Sequence, residues 1–159
     1  MKKRAQAWGF DITIAAIIFS LAVITFYLFS LNYSDEAGES LNALDYDANS
    51  IANALLSEGY PAQWNSGDVI KIGLLSNSRI NETKLLSFKE LSLSDYPKTK
   101  SIFNTLHNYE ITFSENMTIN STTITSIGLT PSSPQNLIKV TRLATYNNKP
   151  LVIYVNVWE

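Results

Sequence analysis

The sequence predicts an α+β protein in which a long N-terminal helix, half membrane-spanning and half amphipathic, packs on an antiparallel sheet of four or five strands with two short helices. An uncharged apolar run covers residues 12–31 and is long enough for a spanning helix. Apolar residues then recur every three or four positions over 41–55, the spacing of one helix face. Alternating apolar and polar residues at 109–114 and 151–157 are typical of half-buried strands.

The apolar run is preceded by a short basic head, Lys2, Lys3 and Arg4. Basic residues beside a span resist translocation, so we expect a cytoplasmic N-terminus and a C-terminal part outside the cytoplasm. A cleaved secretory signal has about 7–15 apolar residues followed by a small-residue cleavage site. This run is longer, and residues 30–33 offer no such site, whereas an uncut signal anchor fits the length.

Asp11 stands directly before the apolar run and is the only acid among the first 34 residues. An ionisable side chain inside a bilayer costs free energy, which favours a charged partner for Asp11. In the alternative interpretation, Asp11 lies at the level of the lipid headgroups and caps the helix that follows, because aspartate is a good N-cap.

The second half of the long helix is predicted from five apolar residues at spacings of three and four, namely Leu41, Leu44, Ala48, Ile51 and Leu55. Gly59 and Pro61 then provide a stop signal. A single helix over residues 10–58 would be about 70 Å long. Gly38 weakens it, so two helices separated near residues 34–38 are the alternative.

Strands and short helices follow. The apolar residues 69–75 predict a short strand, and 122–129 are rich in β-forming residues. Helical spacing over 83–91, preceded by Asn81, predicts one short helix. A second short helix is predicted after a cap at Ser94 or Asp95, with a proline in its first turn.

A hairpin is predicted at the C-terminal end, with Asn147 and Asn148 in an exposed turn that extends through Pro150. The apolar residues of the last strand occupy both of its faces, so we expect cover on both sides. Trp158 and Tyr154 are accordingly expected to be substantially buried.

The N-terminus resembles those of archaeal type IV pilin-like proteins, which carry a class III signal peptide. The resemblance rests on K-K-R-A-Q followed by an acid and a long apolar helix, and it covers about the first thirty residues. It implies that a membrane prepilin peptidase cuts between Ala5 and Gln6 and leaves the helix in place. The family has its acid at mature position five, which Asp11 would occupy if Ala7 were the first residue. Residues 55–75 also resemble uncharacterised surface proteins of small-genome archaea.

The resemblance implies a leader peptide at 1–5, a transmembrane or filament-core helix at 6–34 and an extracellular α+β domain at 35–159. The expected protein is a non-enzymatic subunit, or minor component, of an archaeal type IV pilus or similar surface filament. Its expected partners are the membrane, the prepilin peptidase and other pilin subunits, in a homo- or hetero-oligomeric filament. The alternatives are a monomeric, signal-anchored surface domain that binds a ligand or another cell, and a membrane-tethered enzyme.

Composition argues against several classes of function. Without the basic head and Asp11, the chain has nine basic and thirteen acidic residues, a net charge of −4, which does not favour nucleic acid. Cysteine is absent, so neither disulfides nor thiol chemistry are available.

The single histidine, His107, is expected to cap a helix C-terminus, and Asp45 and Asp47 to lie on a solvated helix face. No motif indicates catalysis, a metal or another cofactor, so we expect a protein that is not an enzyme.

Four N-x-S/T sequons occur, whereas this composition gives about three by chance. Asn32 lies too close to the apolar run to be reached easily. Asn81, Asn116 and Asn120 are predicted at loops or strand ends on an extracellular face. They are therefore the predicted glycosylation sites of a surface glycoprotein.

Overall fold

The structure is a computed structural model that describes the backbone of residues 3–159 and the side chains of 9–31 and 38–159. The chain forms two compact units, residues 1–40 (unit 1) and 41–159 (unit 2). The predicted α+β class is confirmed.

Helix α1 (Lys3–Leu55) accounts for the described part of unit 1 and enters unit 2 at Leu41. It is one helix, rather than the two helices of the alternative prediction. Within it, Gly9–Leu31 is long and apolar enough to cross a membrane. The hydroxyl of Thr25 in this stretch donates a hydrogen bond to the carbonyl of Leu21 four residues earlier (2.8 Å), so the helix satisfies this polar atom internally.

In unit 2, four of the five residues of the predicted apolar stripe are buried in the core: Leu44, Ala48, Ile51 and Leu55. Leu41 is exposed, so the stripe enters the core one turn later than predicted. Helix α1 therefore contributes its apolar face to the core of the domain that it enters, as the spacing predicts.

The core is closed by a four-stranded antiparallel sheet in the order β4-β3-β6-β5. Its strands are β3 (Asn108–Ile119), β4 (Thr122–Gly128), β5 (Leu137–Tyr146) and β6 (Lys149–Trp158), while β1 (Leu75–Ser76) and β2 (Arg79–Ile80) form a separate small ribbon. Residues 69–75 were predicted as one strand, but Lys71 only bridges Tyr60 before β1 begins. Before β1 the backbone N–H groups of Ile70 and Lys71 bond to the carbonyl of Tyr60, and that of Leu74 bonds to the carbonyl at the end of α1, so no regular ladder forms there.

Helices α2 (Glu82–Ser94) and α3 (Tyr96–Phe103) confirm the two predicted short helices. The side chain of Asn81 caps α2 by accepting from the backbone N–H of Lys84, and Asp95 caps α3 by accepting from that of Lys98. Each cap satisfies a backbone donor that the first turn of a helix leaves unpaired.

The predicted hairpin is confirmed, with a tighter turn than expected. Asn147 and Asn148 are exposed, both have positive φ, and β6 already begins at Lys149. Asparagine tolerates this left-handed backbone, which a two-residue hairpin turn requires. Trp158 is buried, with 6 % of its surface exposed, whereas Tyr154 is only half-buried beneath the ammonium of Lys139. The second face of β6 is therefore covered at its end and partly open in its middle.

Unit 2 has two distinct ends. We call the end of the sheet where β3 begins at Asn108 and β6 finishes at Trp158 the entry end; Asp47 of α1 bonds there to Thr105 and His107. The opposite end, the far end, holds the turns at Asn120–Ser121 and Asn147–Asn148.

Candidate functional site

The apolar stretch Gly9–Leu31 carries large hydrophobic side chains that are exposed all around the helix. They are Phe10, Ile12, Ile14, Ile17, Ile18, Phe19, Leu21, Val23, Ile24, Phe26, Tyr27, Leu28, Phe29 and Leu31. None of the stretch is buried within the described chain. A helix that is apolar on every side is stable only when lipid or protein covers it.

Asp11 lies two residues inside this stretch, and its side chain is exposed. Helix α1 begins at Lys3, so Asp11 is in the helix interior rather than at its N-cap. Only the first four N–H groups of a helix lack an intrahelical acceptor, and Asp11 lies beyond them. The capping alternative is therefore wrong for this backbone. No described side chain forms an ion pair with Asp11.

The predicted processing site lies outside the described side chains. Ala5 and Gln6 belong to the backbone of α1, and the cut between them stays a prediction.

The three predicted glycosylation sites differ in surroundings. Asn116 on β3 and Asn120 in the β3–β4 turn are exposed, and the φ of Asn120 is +48°. Asn81 is half-buried: its Oδ1 accepts from the N–H of Lys84 (3.2 Å) and its Nδ2 donates to Ser76 Oγ (3.1 Å). The amide of Asn81 thus has a structural role, while the other two amides face solvent. Their glycosylation stays a prediction.

A polar cluster of Asp47, Thr105 and His107 was not expected from the sequence. Asp47 Oδ2 accepts a hydrogen bond from the hydroxyl of Thr105 and lies 2.8 Å from His107 Nδ1. The backbone N–H of His107 donates to Thr105 Oγ1 (3.1 Å). Asp47 is half-buried, rather than on a solvated face as expected.

The sequence predicts that His107 caps a helix C-terminus, and this prediction is wrong. Helix α3 ends at Phe103, and Asn104 terminates it with a left-handed backbone at φ +55°. His107 instead lies directly before β3 and connects that strand's start to α1 through Asp47. The helix is shorter than predicted because asparagine can take the left-handed cap conformation.

The cluster contains the residue types of a hydrolytic triad in a different arrangement. The hydroxyl of Thr105 donates to the carboxylate of Asp47, so it is not hydrogen-bonded to the imidazole that would have to activate it. Among the described residues, no group of three His, Asp or Glu side chains could hold a metal ion. The arrangement fits a structural connection between α1 and β3.

Lys84 is a buried cation that no sequence pattern indicated. Only 2 % of its surface is exposed, and its Nζ donates to the carbonyls of Glu58 (2.8 Å) and Leu75 (2.7 Å). Burial lowers the pKa of Lys84, and the nearby carboxylate of Glu58 opposes this shift. Lys84 therefore connects the loop after α1 and the start of β1 to helix α2.

A groove of about 570 Å³ opens at the entry end, between α3 and the start of β3. Its floor includes Tyr96, whose hydroxyl accepts from the N–H of Tyr109 (2.9 Å). Burial raises the pKa of Tyr109 and that of Tyr96. Leu106 and Leu129 lie on its walls.

Comparison of the chain with protein-family models, with curated proteins and with solved structures found no match. The structure and sequence themselves therefore provide the evidence on function, and the exposed apolar helix Gly9–Leu31 is the feature that most needs a functional explanation.

Proposed function

We propose that this chain is a non-enzymatic, type IV pilin-like subunit, major or minor, of an archaeal surface filament. One observation carries the proposal: α1 bears an apolar stretch exposed on all sides, Gly9–Leu31, and then a stripe buried in the core of unit 2. The first needs an external apolar partner, and the second belongs to a folded domain of its own.

Two environments can cover the apolar stretch in turn. Its 23 residues match the thickness of a bilayer, so lipid surrounds it first. The basic head stays in the cytoplasm and unit 2 faces the cell exterior. After the prepilin peptidase removes residues 1–5, the same side chains pack against those of neighbouring subunits in the filament core.

Asp11 has a specific task in this scheme. Cutting before Gln6 creates an α-amino group whose reference pKa is about 7.7–8.0, so it is largely a cation near neutral pH. A cation entering an apolar filament core needs an anion, because an unpaired buried charge is costly. Asp11 is the only acid in the first 34 residues. It pairs with an N-terminus, its own or a neighbour's, and sets the register of the subunit.

The test is imaging of surface filaments from archaeal cells that express a tagged copy of the full chain together with a prepilin peptidase. A matched strain lacking the peptidase is the control. Tagged filaments are expected in the first strain and membrane-bound subunits in the second. Surface-exposed monomers in both strains would contradict the filament proposal.

A second candidate function uses the same stretch as a permanent anchor. Gly9–Leu31 also fits an uncut signal anchor by length, which would make the chain a monomeric surface domain that binds a ligand or another cell. The two candidates differ in the N-terminus of the mature protein: the anchor keeps residues 1–5 and the filament subunit loses them.

A further inference from the structure

The groove between α3 and the start of β3 has the size and the mixed lining of a ligand-binding site. Its volume of about 570 Å³ lies within the range of about 300–1,000 Å³ in which proteins bind small ligands. Its walls are apolar where Tyr96, Pro97, Leu106 and Leu129 line it, and Leu106 is 92 % exposed. The groove therefore leaves apolar surface in water, which a ligand with an apolar group would cover.

Two of the apolar walls are held in place by the backbone of Tyr109. The hydroxyl of Tyr96 accepts from the N–H of Tyr109 (2.9 Å) and donates to its carbonyl (3.3 Å). The backbone N–H of Leu129 donates to the same carbonyl (3.0 Å). Walls that are already fixed lose little conformational entropy when a ligand enters, which favours binding.

Lys100 gives the groove a positive charge. It is the only charged residue among the described residues that line the groove. Its ammonium donates to the carbonyl of Leu106 (2.6 Å) and to Oδ1 of Asn108 (3.4 Å), and neither oxygen carries a charge. Within the described part of the chain, Lys100 forms no ion pair with a carboxylate. An ammonium has three N–H donors, so one remains for a negatively charged ligand.

The last carbonyls of α3 beside the groove are already paired. Carbonyls that a helix leaves unpaired at its C-terminus carry partial negative charge and disfavour an anion. Here the backbone N–H of Thr105 donates to the carbonyl of Lys100, and that of Asn104 donates to the carbonyl of Ser101 (both 3.1 Å). These bonds reduce the negative charge at the helix end, so the ammonium of Lys100 is the group that this part of the groove offers to an anion.

We propose that this groove binds the free C-terminal carboxylate of a polypeptide whose last side chain is apolar. The carboxylate bonds to the ammonium of Lys100, and the apolar side chain packs on Tyr96 and Leu129. The last peptide group meets the polar part of the lining, where Asn104 and Asn108 supply amide groups. A C-terminal residue carries these three groups in one unit, and capture of a carboxyl terminus is a recurrent mode of peptide recognition.

This inference goes beyond the proposed function and does not depend on filament assembly, because unit 2 lies outside the cell in both candidate functions. A free fatty acid is a less suitable occupant than a peptide. Its chain has no hydrogen-bonding groups, so it would cover the polar side chains of Ser101, Asn104 and Asn108 without satisfying them.

The test uses the full chain in lipid nanodiscs and two probes that differ only in charge. N-acetyl-leucine has an amide, an apolar side chain and a free carboxylate, whereas N-acetyl-leucinamide has an uncharged amide in place of the carboxylate. Hexanoate, a carboxylate without a peptide group, is the third probe. Binding is measured by titration with saturation-transfer NMR, and empty nanodiscs correct for uptake by lipid.

Four variants locate the binding site. Lys100→Met removes the charge and Lys100→Arg keeps it, while Ser101→Trp fills the groove from an exposed position of its wall and leaves Lys100 in place. Lys98→Met is the matched control, because Lys98 is another half-buried lysine of α3 that donates to the carbonyl of Ser66 (3.5 Å) and does not line the groove. Thermal unfolding followed by circular dichroism checks that each variant is folded.

The parent chain is expected to bind N-acetyl-leucine about tenfold more tightly than the amide, which is the effect of one hydrogen bond to a charged group. Lys100→Met should remove this preference, and Lys100→Arg should retain part of it. Ser101→Trp should abolish the binding of both probes, and Lys98→Met should change neither. If Lys100→Met does not fold, the preference of the parent and its loss in Ser101→Trp decide the question.

Equal binding of the acid and the amide to the parent would overturn the proposal, as would no binding of any probe. A preference that survives in both Lys100→Met and Ser101→Trp would assign the carboxylate to another site. Hexanoate that binds as tightly as N-acetyl-leucine would assign the groove to a free fatty acid instead of a peptide. Normal filaments in cells without probe binding would refute only the groove, whereas probe binding without filaments would refute only the assembly function.

Discussion

The carboxylate of Asp47 on α1 lies 2.8 Å from the imidazole Nδ1 of His107, sixty residues further along the chain. The same carboxylate oxygen accepts the hydroxyl hydrogen bond of Thr105. One half-buried acid thus connects the first helix to the segment that leads into the central sheet. Between its two partners lies Leu106, the most exposed leucine of unit 2.

Asp47→Ala should destabilise unit 2 by about 1–3 kcal/mol, because Thr105 and His107 would both lose their acceptor while partly buried. Urea unfolding of the full chain in detergent, followed by tryptophan fluorescence, measures this. Asp45→Ala is the matched control, since Asp45 is exposed and its loss should change stability by no more than about 0.5 kcal/mol. Equal effects of the two substitutions would show that the cluster contributes nothing.

A double-mutant cycle tests the coupling between Asp47 and His107. Residues that share one network give non-additive effects, so His107→Ala should cost less in the Asp47→Ala background than in the parent. Additive losses in the same unfolding measurement would mean that the 2.8 Å contact has no energetic weight.

Trp158→Ala should destabilise the domain by about 3–5 kcal/mol, because it removes a large buried side chain and leaves a cavity. Tyr154→Ala should cost less, since Tyr154 is half-buried on the same strand. Thermal and urea unfolding followed by circular dichroism measure both. An unchanged melting temperature in Trp158→Ala, or a larger loss in Tyr154→Ala, would contradict the packing of β6.

Lys84 should give the domain a pH-dependent stability of known sign. Burial lowers its pKa in the folded chain below the ordinary value of 10.5, so the unfolded chain binds more protons at this site between the two values. The contribution of Lys84 to the free energy of unfolding must therefore rise with pH in that window.

The test is the difference in unfolding free energy between the parent and Lys84→Met, measured from neutral pH up to about pH 10. That difference should shift in favour of the parent as pH rises. The series stops there because burial raises the pKa of Tyr109, so its ionisation in the unfolded chain lowers stability above about pH 10. A difference that is constant or moves against the parent would refute the lowered pKa of Lys84 in the folded chain.

Asp11→Ala should leave membrane insertion, peptidase cutting and the folding of unit 2 intact, yet sharply reduce filament assembly. Asp11→Glu should retain part of it, because the charge is kept. Asp11→Asn is the decisive variant, since it keeps the shape and removes the charge. Filament yield by electron microscopy, with subunit level by immunoblot as the control, measures all three. If Asp11→Asn assembles as efficiently as the parent, the ion pair is not the reason for this residue.

Processing should remove the basic head alone. N-terminal sequencing or intact mass spectrometry of the surface-exposed protein should find Gln6 or Ala7 as the first residue. An intact Met1 or Lys2 would leave only the signal anchor. A cut after Leu31 would be incompatible with both membrane interpretations.

Local chemistry explains which parts of the fold were predictable. The caps at Asn81 and Asp95 accept hydrogen bonds from backbone N–H groups three residues later, and the turn at Asn147–Asn148 needs only the positive φ that asparagine tolerates. A short window of sequence therefore contains the information for these features. The buried stripe of α1 follows from helical spacing in the same way. The strand predicted at 69–75 was wrong because an apolar run does not specify which strand will pair with it. Lys71 forms only an isolated bridge, to Tyr60.

The sequence by itself determined the apolar stretch Gly9–Leu31, the place of Asp11 near its start and the α+β order of elements, since these depend on composition and on periods of two and 3.6 residues. The tertiary structure alone decided the roles of His107, Asp47 and Lys84. Their partners are 26 to 60 residues away along the chain, or lie on another element, and no local pattern encodes such a distance. It also decided the surroundings of the exposed Leu106, because only the folded chain brings Asp47 to Thr105 and His107, the residues on either side of it, and Lys100 to its carbonyl.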